Sequence, residues 1–185
     1  MVSTPMVRTQ RLVLRGFTED DLPVWNEILL ADPEVRRYLP IDGPFAADQL
    51  TAALGRSRAH WAEHGYGAWA VTDRVSGTFV GHCGLRFLDE IGETELYYAL
   101  GKPHWGRGFA TEAAGAAMRF GFDRAGLSRI VAYAVPENRA STHVMEKLGM
   151  TYEEEASIFG LACVRYAIER PAARGSFIVP YSIGR

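Results

Sequence analysis

The segment Gly101-Lys-Pro-His-Trp-Gly-Arg-Gly-Phe-Ala-Thr-Glu-Ala113 constrains this chain more than any other. An apolar stretch, Glu95-Leu-Tyr-Tyr-Ala-Leu100, runs into two closely spaced glycines, and a helix-forming run follows at Ala110. A helix start leaves about four backbone N–H groups unpaired and carries partial positive charge, so it draws an anion. Gly106 and Gly108 let the backbone approach that anion without a Cβ in the way. Arg107 between them adds a full charge and several donors. A diphosphate fits this description, although an ordinary turn before a helix uses the same residue types. Two other phosphate motifs are excluded. Thr111 stands where the third glycine of G-x-G-x-x-G belongs, and the Gly-Lys-Ser/Thr ending of a P-loop is missing.

The flanking sequence predicts the frame that carries this turn. Residues 11–17 alternate as a strand. Thr18-Glu-Asp-Asp21 then offers an N-cap and an acidic first turn to a helix whose stripe includes Leu22, Trp25, Ile28 and Leu29. A second helix is expected from Ala46 to His64, stopped by Gly65 and Gly67. Period-two strands follow over 68–72, 78–88 and 94–100. After the glycines come a helix over 111–124, a strand over 129–135, and a helix over 140–148 ending on Gly149. Strands over 152–159 and 162–169 complete the pattern, and the tail after Pro171 has no usable period. The predicted class is α/β in the α+β sense, one domain over residues 1–185. Its sheet is mixed and mostly antiparallel, with about seven strands, about four flanking helices and one parallel strand–helix–strand crossover at the glycine turn.

Bulk properties remove several function classes. The 185 residues carry a formal net charge of −2 and form no basic stripe, so no nucleic-acid partner is expected. No run of about 18 apolar residues suggests a membrane span. Cys83 and Cys163 form no CxxC or Cys/His cluster, which points to buried free thiols and to no metal. The first ten residues lack the pattern of a signal peptide, so a cytoplasmic location is expected.

Trp105-Gly-Arg-Gly-Phe-Ala110 resembles the R/Q-x-x-G-x-G/A motif of the GNAT superfamily of N-acetyltransferases. Gly108 and Ala110 match its small positions. Trp105 departs from the usual Arg or Gln, a departure similar to the RimJ/RimL-like branch of ribosomal-protein N-terminal acetyltransferases. A second block, Asn138-Arg-Ala-Ser141 followed by Glu146-Lys-Leu-Gly-Met150, is similar to the family's N-x-x-S segment and E-K-L-G-F helix end. The likeness spans residues 9–170. It implies that acetyl-CoA is the co-substrate, that the amides from Gly106 to Thr111 hold its diphosphate, and that Asn138 and Ser141 lie near its arm and thioester. Trp105, Arg107, Phe109 and Ala110 belong to the same implied cofactor site.

Acetyl transfer needs a neutral amine, a donor for the developing oxyanion and a proton for the departing thiolate. In the resembling fold the oxyanion donor is a backbone N–H at a strand bulge, here the Ala99–Leu100 region. Glu95 is the first candidate for the base and Ser141 for the proton donor, with Tyr98, Tyr133 and His82 as further candidates. A solvated or paired glutamate, a capping serine, core tyrosines and a structural histidine are the competing readings. Cys83 has no base beside it in sequence, which favours direct attack by the amine. The expected acceptor is a protein N-terminus or a small-molecule amine, drawn by Glu93, Glu95 and the 153–155 glutamates, and the protein a monomer or homodimer. A non-catalytic acyl-CoA-binding module and a nucleotide-binding regulatory domain remain the alternatives.

Overall fold

The computed structural model describes residues 4–170 and 181–184. Among these residues nine strands form one sheet. They are β1 (Met6–Arg8), β2 (Leu12–Arg15), β3 (Ala68–Asp73), β4 (Phe79–Leu88), β5 (Glu93–Leu100), β6 (Arg129–Ala134), β7 (Thr151–Ile158), β8 (Leu161–Glu169) and β9 (Ser182–Gly184). Their spatial order is β7-β8-β6-β5-β4-β3-β2-β1-β9. Every neighbouring pair is antiparallel except β5 with β6. The helices are α1 (Asp21–Trp25), α2 (Pro33–Arg36), α3 (Ala47–His64), α4 (Phe109–Asp123) and α5 (Arg139–Lys147). A π-helical stretch, Asn26–Ala31, prolongs α1, and a 3-10 turn, Lys102–His104, precedes the glycines. No helix among the described residues is long and apolar enough to cross a membrane.

The mixed sheet and its single parallel crossover follow the sequence pattern, while the element counts exceed it. A hairpin stands where one strand over 11–17 was expected. Thr9 makes the corner, its N–H donating to the Leu12 carbonyl at 3.0 Å and its hydroxyl accepting the Leu12 N–H at 3.0 Å. In the tail, residues 171–180 and 185 lie outside the described residues, and Ser182–Gly184 add a strand to β1. Thr18 does not cap α1. Its N–H and hydroxyl donate to Asp21, whose carboxylate also takes two 2.7 Å bonds from the Arg15 guanidinium.

Two apolar clusters pack on opposite faces of β5, as alternation along a strand requires. Leu96 and Leu100 join α4, whose run of Ala113, Ala114, Ala116 and Ala117 is fully buried. The small side chains bring helix and sheet together so closely that a Cβ on Gly121 would stand 2.7 Å from the Leu85 Cδ1. On the other face Ala99 packs with Leu29, Leu30 and Val35. The parallel joint is short, β5 and β6 sharing only the Glu95–Val131 register point. Beyond that point the strands part, and the functional features gather in the gap.

Candidate active site

The glycine turn has the geometry expected of an anion cradle. Gly106 (φ 71°) and Gly108 (φ 75°) both take the left-handed conformation, which a side chain disfavours. The first helical bond of α4 runs from the Glu112 N–H to the Gly108 carbonyl, so the amides just before it are free of the helical ladder. Nothing lies within 4 Å of where a Gly106 Cβ would be, which leaves open space beside those amides.

That space belongs to a cavity of about 390 Å³ at the open end of the β5–β6 gap. Of the residues singled out from sequence, Ala99, Leu100, Trp105, Gly106, Gly108, Phe109, Ala110, Thr111, Asn138 and Ser141 line it. Val35, Tyr38 and Leu39 close it from the α2 side, and Lys147 places a cation on its α5 wall. Backbone alternation aims one more donor into it. The Gly101 N–H goes to Val80 of β4, and the Leu100 carbonyl accepts the Trp105 indole N–H at 2.7 Å. The Leu100 N–H therefore faces away from β4, into the gap. No bulge is needed for this, since the β4–β5 register runs unbroken from Gly81–Leu100 to Leu88–Glu93. Trp105, in place of an Arg or Gln, thus ties the turn to the end of β5.

Asn138 caps α5, its side-chain oxygen accepting the Ser141 N–H at 3.2 Å. The Tyr98 hydroxyl donates to the Ser141 carbonyl at 3.0 Å and lies 3.1 Å from its Oγ. Burial pushes the Tyr98 phenol up, keeping it protonated. Cys83 is fully buried and its thiol is likewise pushed up, so it supplies no thiolate.

Arg107 and Glu95 sit elsewhere than expected. The Arg107 guanidinium lies 4.4 Å from the centre of the Phe109 ring and does not line the cavity. A cation on an aromatic face holds it there. Glu95 is 4% exposed, and its Oε2 takes bonds of 3.0 and 2.5 Å from Nε and Nη2 of Arg86. Burial pushes its carboxyl above the ordinary range, with Arg86 opposing in part. It does not line this cavity but shares a face with Tyr97 and Ala99. The glutamates expected to draw an amine are largely neutralised. Arg129 pairs with Glu93, Glu153 and Glu169, and Arg165 with Glu93, Glu153 and Glu154.

Sequence reasoning missed the clamp behind the turn. The buried Glu112 accepts the Thr9 hydroxyl at 2.6 Å, the Arg11 N–H at 2.8 Å and the Arg11 Nε at 2.6 Å. The Arg11 Nη1 in turn donates to the Arg107 carbonyl at 2.8 Å, fixing the turn against the start of β2. The partners are about a hundred positions apart, and an acidic first-turn residue looks like ordinary helix chemistry. Burial alone would raise the Glu112 carboxyl, but its bonds to Thr9 and Arg11 outweigh this and hold it below the usual range. A depressed carboxyl stabilises the fold above its unfolded-state value and loses that contribution as pH falls through the folded one. Glu112→Gln is expected to lower stability by about 2 kcal/mol at neutral pH, through donors left unpaired. The difference from wild type should shrink in acid melts; a gap independent of pH would refute the ionic clamp.

Unpaired amides at a helix start, a strand amide facing away from β4 and the Ser141 hydroxyl all open on one gap, an arrangement suited to an anionic ligand. Residues 11–151 match the profile of the Acetyltransferase (GNAT) domain, and the chain belongs to that family of acetyltransferases. It is 35% identical over 151 residues to the uncharacterized N-acetyltransferase p20 of Bacillus licheniformis, spanning 78% of this chain and 82% of p20. Among solved structures, the acetyltransferase from Agrobacterium tumefaciens superposes with a TM-score of 0.79 at 29% identity, covering 91% of this chain and 96% of that one. RimJ of Mycobacterium smegmatis, solved in complex with CoA-disulfide, superposes at 0.73 with 24% identity, covering 89% and 85%. At that identity the likeness extends to the fold.

Proposed function

We propose that the chain moves an acetyl group from acetyl-CoA to an amine by direct attack, as an enzyme of the RimJ/RimL-like type. The observation that carries this reading is the shared cavity. Gly106, Gly108–Thr111, the Leu100 end of β5 and Ser141 all line it. The amides of Gly108, Phe109, Ala110 and Thr111 would hold the diphosphate, and Lys147 adds a cation. When bound, acetyl-CoA supplies the acyl group as a thioester. The Leu100 N–H is placed to receive the developing oxyanion. Ser141 Oγ, beside the protonated Tyr98, is placed to give a proton to the departing sulfur. Glu95 serves as the base through an intervening water, its Oε1 accepting the proton while Arg86 holds Oε2. The acceptor is a protein N-terminus or a small amine. The enzyme is read as one domain over residues 1–185, cytoplasmic, and a monomer or homodimer.

The test is thiol release from acetyl-CoA across a panel of amines, with the product identified by its mass. Ser141→Ala is expected to lower kcat about tenfold with little change in the KM for acetyl-CoA. Calorimetric preference for ATP or NAD over CoA would sink the reading, and so would CoA binding with no amine acetylated.

A further inference from the structure

The face of β5 that carries Tyr97 and Ala99 also borders a second pocket, of about 130 Å³, with a different chemistry. His82 and Tyr97 are in its wall with Phe17, Trp25 and Leu54, and no charged residue lines it. His82 pairs across the strands with Ala99, which lines the larger cavity, so the pocket adjoins the place where the acyl group is held.

Trp25 fixes the state of the imidazole. Its indole N–H donates to His82 Nδ1 at 3.0 Å. An indole nitrogen only donates, so Nδ1 is bare and the proton sits on Nε2. A cationic ring would set a second proton against that N–H. Burial, together with nearby Arg86, pushes the His82 value down to about 4, which also keeps the ring neutral. With its free lone pair committed to Trp25, His82 is a donor and not the base. Among the described residues its Nε2–H has no protein partner.

We propose that this pocket selects the acceptor, taking an amine that carries one ring-sized apolar group with a hydrogen-bond-accepting oxygen, which His82 Nε2–H holds. The proposal rests on the acetyl-transfer reading above and names its substrate class. An apolar cavity of about 150 Å³ accommodates benzene, so this volume suits one ring. A second ammonium, as in a linear polyamine, would find no carboxylate in the wall to offset its desolvation. The ring can belong to a free amine or to the first residue of a chain.

The experiment measures kcat/KM with acetyl-CoA for tyramine, phenethylamine, spermidine and a Tyr-Gly-Gly peptide. Tyramine or the peptide should exceed spermidine at least about tenfold, and which of the two leads identifies the source. Tyramine should exceed phenethylamine about fivefold through the oxygen contact. Ala53→Phe, on the α3 wall, fills the pocket and should cut the ring preference at least about tenfold. His82→Asn keeps an acceptor for Trp25 but lacks the Nε2 donor, so the tyramine-to-phenethylamine ratio should fall to about one. A purely structural histidine would lower both rates and leave the ratio intact. A spermidine preference, or ratios unchanged in both variants, overturns the proposal and leaves acetyl transfer standing. If CoA binds and no amine reacts, the transfer reading fails, and calorimetry with N-acetyltyramine decides the pocket. Binding lost in Ala53→Phe supports it; no binding to wild type overturns it.

Discussion

Gly108→Val should weaken CoA binding about 10- to 100-fold. Gly108 caps α4 at φ 75°, a conformation that costs a β-branched residue about 1–3 kcal/mol. The turn can relieve that strain only by rotating the amides out of the cradle, and about 1.4 kcal/mol corresponds to a tenfold change in affinity. Gly126 supplies the control. It has the same φ of 75° with nothing within 4 Å, and it lies beyond α4, outside the cavity. Gly126→Val should lose comparable stability and keep full CoA affinity. Calorimetry on both variants, with melting curves alongside, separates loss of the cradle from general strain. Undiminished affinity in Gly108→Val means the turn does not hold the cofactor.

Glu95→Gln is expected to lower kcat about a hundredfold or more, with the KM for acetyl-CoA nearly unchanged. A glutamine still accepts from Arg86 but takes no proton from the amine. The pH profile gives the sharper test. Only the ionised carboxylate accepts a proton, so activity falls as pH drops through the Glu95 value. Burial raises that value, which sets the acidic limb of kcat/KM above the ordinary carboxylate range near about 4.3. Arg86 opposes the rise, so Arg86→Met should carry the limb to still higher pH. A glutamate with only a structural role would alter the melting temperature in these variants and leave the limb in place.

The readable parts of the fold share one property: they depend on neighbours along the chain. The helix expected over 46–64 is observed at Ala47–His64 and ends at Gly65 in the left-handed conformation. The turn glycines and the Asn138 cap were legible for the same reason, since each acts within four residues of itself. The hairpin at Thr9 escaped because its strands are three and four residues long, too short for a period to register. The π-helical stretch escaped too: Asn26 reaches across to the backbone of Phe45, a contact no local pattern announces.

By itself, then, the sequence determined the glycine turn, the Asn138 cap and the order of the longer strands and helices, because period and backbone conformation are local chemistry. Tertiary structure decided which charges are available. Arg107 lies on Phe109, Glu95 is bound to Arg86, and the outer glutamates are consumed by Arg129 and Arg165. It also set the state of His82 through an indole 57 positions away. A charge or a tautomer is fixed by whatever is nearest in space, and for these groups the nearest partner comes from another strand or helix.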